Sequence, residues 1–125
     1  MKKETSRDLN YQIKFFEQLL ERNPDYADAM IALAEVYTKK GLYQKGLEID
    51  LRLSQIKKND PIVYYNLACS LSLLGRIEQA LNALSKAICL GYNDFDYINQ
   101  DSDLNNLRED KRFRELLKTA VKNEK

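Results

Sequence analysis

Residues 29–53, AMIALAEVYTKKGLYQKGLEIDLRL, return 34 positions later as residues 63–87, VYYNLACSLSLLGRIEQALNALSKA. Leu33, Ala34, Tyr37, Gly41, Tyr43, Gly46 and Leu53 of the first copy stand where Leu67, Ala68, Leu71, Gly75, Ile77, Ala80 and Ala87 stand in the second. Apolar character, small size and the turn glycine therefore recur in register. A fixed period of this length marks a helical repeat array, in which each unit buries its apolar face against its neighbours. Leu67 is expected to take, in its own hairpin, the place that Leu33 takes one hairpin earlier.

The helices read outward from these copies. Thr5 or Ser6 opens a first helix over about 6–22, which carries Leu9, Ile13, Phe16, Leu19 and Leu20 at helical spacing and stops at Asn23-Pro24. A second helix over 25–40 presents Ala29, Met30, Leu33, Ala34 and Tyr37 and ends at Gly41. A third covers 42–58. After Asn59-Asp60-Pro61, where proline suits the first helical turn, the pair repeats over 61–74 and 76–90 with Gly75 between, and Gly91 closes it. No strand pattern and no linker composition interrupts this run, so the 125 residues divide into repeats within a single domain.

These residues resemble the tetratricopeptide repeat, whose units are antiparallel helix pairs of 34 residues. In repeat one, taken as 25–60, residues 29–37 followed by Gly41 and Tyr43 fit the family's first helix and turn. In repeat two, 61–91, residues 64–71 with Gly75, Ile77, Ala80, Leu84 and Ala87 fit nearly every signature position. Residues 6–24 look like the second helix of a preceding unit. The resemblance implies an all-α fold, an α-α superhelix of helical hairpins. Two positions depart from the pattern. Gly46 replaces the usual alanine at the closest approach of two helices, and Asp50 replaces a large apolar residue, which implies that Ile49, Leu53 and Ile56 carry the buried stripe on a slightly rotated helix.

After Gly91 the pattern gives way to a segment, 92–125, that looks like the terminating segment of some bacterial repeat arrays. Phe113, Leu116, Leu117, Ala120 and Val121 are expected to cover the last apolar flank, with Lys111, Arg112, Lys118 and Lys122 in solvent. Asp94 and Asp110 are suited to cap its helices. The acidic run Asp94, Asp96, Asp101 and Asp103 lacks the glycine and closing glutamate of a calcium loop, so it reads as caps and turns.

Composition narrows function. Twenty basic and 19 acidic residues nearly cancel, leaving no field to gather nucleic acid. Lys39-Lys40 and Lys57-Lys58 sit at helix C-termini, where cations complement the helix dipole. Met1 to Asn10 is polar where a signal peptide needs an apolar core, and no apolar run approaches the roughly 20 residues that span a bilayer, so the expected location is cytoplasmic and off the membrane. Cys69 and Cys89 lie in apolar helices without metal-ligand spacing and are expected as buried or half-buried thiols. With no histidine there is no imidazole base, and no glycine-rich phosphate loop is present. The expectation is a non-enzyme without cofactor or metal.

What the resemblance implies is binding by shape. In this family the first helix of each unit lines a concave groove, and the matching positions are Asp28, Ile31, Ala32, Glu35, Thr38 and Lys39 in repeat one and Ile62, Tyr65, Asn66, Cys69, Ser72 and Leu73 in repeat two. Ile31, Ile62, Tyr65 and Leu73 would anchor a peptide segment of a partner protein, and Asn66 would hydrogen-bond its backbone. Asn66 and Lys39 could serve a clamp for chaperone C-termini, but Asp28 and Glu35 place acid in the same groove and disfavour it. The alternative is a homodimer built on the exposed side of the first helix, which carries Ile13, Phe15, Phe16, Leu19 and Leu20.

Overall fold

The computed structural model describes residues 4–124, so Met1 to Lys3 of the polar N-terminus and Lys125 lie outside the described residues. The described residues form α1 (Ser6–Arg22), α2 (Ala27–Lys40), α3 (Tyr43–Ile56), α4 (Pro61–Leu73), α5 (Ile77–Cys89), α6 (Phe95–Gln100), a 3-10 turn (Ser102–Leu104), α7 (Asn105–Arg108) and α8 (Lys111–Asn123), with no strand among them. The expected all-α hairpin architecture is what forms. Packing divides the chain into two compact units, Met1–Lys58 and Asn59–Lys125.

In the first unit α2 packs against both α1 and α3. Thr5 caps α1 reciprocally: its hydroxyl accepts from the Asp8 N–H, and the Asp8 carboxylate accepts from the Thr5 N–H. Met30, Leu33, Leu47 and Leu53 are buried almost completely, each burial contributing about 2 kcal/mol. The Tyr37 hydroxyl donates to Glu17 Oε2 at 2.5 Å and ties α2 to α1. Arg52 donates to the Pro24 carbonyl at 2.8 Å, fixing the α1–α2 connection against α3.

One expectation about α3 fails. Asp50 is buried alongside Ile49 and Leu53, with an interaction partner inside the protein, whereas Ile56 is 42% exposed. The helix has not rotated to hide Ile56. Its inward face is Gly46, Leu47, Ile49, Asp50, Leu53 and Ser54.

The second unit repeats the hairpin. Asp60 caps α4 by accepting from the Ile62 N–H at 2.9 Å, and Pro61 fills the first turn, where no N–H is needed. Gly41 and Gly75 do the same work in the two hairpins. Their φ values of 85° and 74° lie in the left-handed region, which lets Leu42 and Arg76 donate back to the carbonyls of Tyr37 and Leu71 and closes each helix. Leu67, Ala68, Ala80, Leu84 and Ala87 pack α4 against α5, and Ile98, Leu104, Leu107 and Phe113 extend that interior under the C-terminal segment.

Asp94 caps α6 and Asp110 caps α8, as expected from their positions. Phe113, Leu117 and Ala120 are buried and Leu116 is half-buried, but Val121 is exposed, because it falls on the outer side of α8 with Lys118 and Lys122. Cys69 is buried as expected. Cys89 is not: as the last residue of α5 it is exposed, and both thiols are free.

Candidate functional site

Side chains on the outward face of a first helix are the available binding surface in each unit. On α2 the structure keeps most of the expected strip open. Asp28, Glu35 and Lys39 are exposed, while Ile31, Ala32 and Thr38 are half-buried. The Thr38 hydroxyl turns back into its own helix and donates to the Ala34 carbonyl at 3.0 Å. Lys39 is already engaged: its ammonium lies 3.1 Å from Glu4 and 3.7 Å from Glu35. The hydrogen bond to Glu4 raises the Lys39 pKa, and the bonds from Gln12 and Lys39 lower that of Glu4. An incoming carboxylate at Lys39 would meet Glu4 and Glu35 beside the same ammonium.

On α4 the expected strip divides. Ile62 is exposed and Asn66 and Leu73 are half-buried. Tyr65, Cys69 and Ser72 are buried, because the chain's own C-terminal segment lies on them. The Tyr65 ring stacks parallel on Tyr92 with centroids 4.3 Å apart, and Tyr97 flanks it at 6.0 Å. The Tyr65 hydroxyl donates to Asp101 Oδ2 at 2.5 Å, and the Cys69 thiol donates to the same oxygen at 3.7 Å. Asp101 Oδ1 accepts from the Asp103 N–H at 3.0 Å and so caps the 3-10 turn. Asn106 donates to the Ser72 carbonyl at 2.7 Å, and the Arg108 guanidinium donates to the Asp101 carbonyl. The Ser72 hydroxyl is buried with no partner among the described residues.

The expectation that Tyr65, Cys69 and Ser72 line an open groove therefore has to be narrowed: in this conformation an intramolecular segment covers them. Asp101, with Tyr92, Asn106 and Arg108, does this covering, and sequence reasoning gave none of them that role. The signal available was weak. A tyrosine and a serine on a buried face need polar partners, and the acidic run was the place to find one.

Electrostatics around Asp101 follow from burial. Desolvation pushes the Tyr65 and Cys69 pKa values well above their ordinary ranges, so both stay protonated and act as donors. Tyr92 is pushed up to about 12, first by burial and then by Asp94. Cys69, Asp101 and Asp103 bring one ligand-type atom each within 4.8 Å of one another, and in this structure the Asp101 carboxylate accepts three hydrogen bonds there.

Asp103 yields a pH prediction. Burial, then the neighbouring Asp101 charge, raises its pKa above the usual aspartate value. The folded state thus holds its proton more tightly than the unfolded chain, and wild-type stability falls as pH rises from the ordinary aspartate range through the raised value. Asp103→Asn is expected to melt at a higher temperature than wild type at pH 7, with the gap closing below the ordinary aspartate pKa. Thermal melts of both proteins across pH 3–7 check this, and a constant gap would contradict it.

Sequence comparisons agree with this geometry. Two family models described as tetratricopeptide repeat match residues 13–68 and 62–90. Among curated relatives, the chain is 34% identical over 115 residues to a chloroplastic protein of Arabidopsis thaliana, covering 87% of this chain and 32% of that protein. It is 37% identical over 83 residues to human tetratricopeptide repeat protein 13, covering 62% of this chain and 10% of that one. A TPR repeat-containing protein of Methanocaldococcus jannaschii is 30% identical over 76 residues, 61% of this chain and 13% of its own length. The chain thus spans about a third or less of the relatives it matches. No described helix is long and apolar enough to cross a membrane. With hairpins, turn glycines and family models in agreement over residues 13–90, the chain belongs to the tetratricopeptide repeat family, whose members are in general non-catalytic protein-interaction modules.

Proposed function

We propose that this chain is a non-enzymatic interaction module that takes a peptide segment of a partner protein on the outward strip of a first helix, α2 in the first unit or α4 in the second. The observation that carries the reading is Ile62, a large apolar side chain left 59% exposed in the first turn of α4, with half-buried Asn66 one turn on. On α2, half-buried Ile31 sits among exposed Asp28, Glu35 and Lys39, an apolar anchor with a polar surround. Asp28 and Glu35, together with a Lys39 already paired to Glu4 and Glu35, favour a segment that is apolar or basic over an acidic C-terminal tail.

Ile31→Ala and Ile62→Ala test this, since neither residue belongs to the buried interior. With a peptide identified by affinity capture from the source cell and then titrated in pure form, the change on the strip that binds it is expected to weaken binding about tenfold, as loss of a central apolar anchor does. Unfolding midpoints should move little. Unchanged binding by the double variant removes these strips from the interface.

A second reading is self-association through α1. It is favoured by Tyr11 and Phe15, which stand 75% and 49% exposed on that helix.

A further inference from the structure

We infer that α1 pairs with α1 of a second copy of this chain, antiparallel, about a two-fold axis through Phe15; the inference rests on the self-association reading and gives it a register.

The face in question lies away from the buried Leu9 and Leu20. At about 100° per residue, Asp8, Tyr11, Phe15, Gln18, Leu19 and Arg22 fall on one side of α1. Asp8, Tyr11, Phe15, Gln18 and Arg22 are exposed, and Leu19 is half-buried. The Phe15 ring lies edge-on to Phe16 with centroids 5.3 Å apart. Tyr11 and Phe15 are one turn apart and form the apolar centre of the strip.

The charges decide both occupant and direction. Asp8 lies seven residues before Phe15 and Arg22 seven after, two turns each way along the same strip. A parallel copy would set Asp8 against Asp8 and Arg22 against Arg22. An antiparallel copy centred on Phe15 sets Asp8 against Arg22 at both ends, Tyr11 against Leu19 beside the centre, and Phe15 against itself. The strip is thus complementary to itself in one orientation, as an isologous interface requires. Antiparallel pairing also opposes the two helix dipoles.

The pairing is weak by size. A helix of 17 residues is about 25 Å long, and two such faces bury less than the roughly 1,600 Å² of a standard interface. Dissociation in the micromolar range or above is expected.

Sedimentation velocity on the full chain from about 1 to about 500 μM reads the monomer–dimer equilibrium. Wild type should dimerise across this range and Phe15→Glu should not. Asp8→Lys and Arg22→Glu each turn both end pairs repulsive and should weaken their own homodimers about tenfold or more. Mixed one to one, the two variants pair the introduced lysine of one with the introduced glutamate of the other at one end, and native Arg22 with native Asp8 at the other. Dimerisation should then return to within about threefold of wild type. Asp8→Lys also loses half of the Thr5 cap, but that loss is the same alone and in the mixture, so recovery on mixing reports the pairing alone. A wild-type chain that stays monomeric throughout overturns the register and the self-association reading together. If the wild type dimerises and Phe15→Glu abolishes it, yet the charge variants behave as wild type, α1 self-associates in another register and this inference falls.

Discussion

Asp101→Ala is expected to destabilise the second unit by about 3 kcal/mol and to release the C-terminal segment from α4. The carboxylate holds three donors, the Tyr65 hydroxyl, the Cys69 thiol and the Asp103 N–H. Removing it leaves the phenol, on a side chain only 4% exposed, without its acceptor, a loss of about 1–3 kcal/mol for a buried polar group. The 3-10 turn loses its cap for about 1 kcal/mol more. Tyr65→Phe should cost less, because the Asp101 carboxylate keeps the Cys69 thiol and the Asp103 N–H as donors. Urea unfolding gives the sizes, and amide exchange gives the place: protection should fall from α6 through α8 and along the covered face of α4. The variant should also expose the Tyr65 ring, so tyrosine absorbance titrated with alkali should show one phenol moving down toward the ordinary range. Full protection of α6–α8 in Asp101→Ala would mean that apolar packing of Ile98, Leu104 and Leu107 alone holds the segment in place.

Gly46→Leu is expected to cost about 3 kcal/mol, while Gly46→Ala should stabilise the first unit by less than about 1 kcal/mol. A Cβ at this position would lie 3.3 Å from the Thr38 hydroxyl oxygen, 3.6 Å from the Ala34 carbonyl oxygen and 3.8 Å from the Tyr37 Cβ. Alanine gains helix propensity, and the half-buried Thr38 side chain can give way by a few tenths of an ångström. Leucine cannot be accommodated this way, since the α2 backbone carbonyl is the next atom in its path. Thr38→Ala combined with Gly46→Ala should recover more of the propensity gain than Gly46→Ala alone. Ala80 holds the matching place in the second hairpin and is completely buried, which is the packing that alanine at 46 would reproduce. Equal tolerance of alanine and leucine in denaturant unfolding would show that α2 and α3 do not approach here as described.

Both predictions concern places where local pattern and long-range packing meet, and that boundary explains what could be read in advance. Helix limits were legible where their causes are local: Thr5, Asp60, Asp94 and Asp110 cap the residues beside them, and Gly41, Gly75 and Gly91 take positive φ where the chain must turn, whereas α2 and α3, which start without a side-chain cap, begin at Ala27 and Tyr43 and not at 25 and 42. Asp50 and Ile56 were misjudged because hydropathy ranks them in the reverse of their burial. Burial on α3 depends on which of its residues meet α2, and that lies in no window of α3 itself. Asp50 lies inside with an interaction partner, as a buried polar side chain requires.

The candidate surface divides in the same way. The strip on α2, Asp28, Ile31, Glu35 and Lys39, was legible from helical spacing alone, but the engagement of Lys39 with Glu4 across 35 residues was not. On α4 the spacing placed Tyr65, Cys69 and Ser72 together with Ile62 and Asn66, and spacing cannot tell a face bare to solvent from one covered by residues 92–108.

By itself the sequence determined the family, the hairpins and their turns, because a 34-residue period, capping side chains and turn glycines act through neighbours along the chain. Only the tertiary structure decided which part of the first-helix surface is open. The contacts that close it, Tyr65 with Asp101 and Ser72 with Asn106, join residues 36 and 34 positions apart. Their strength comes from desolvated hydrogen bonds and ring stacking, which exist only once the chain has folded back on itself.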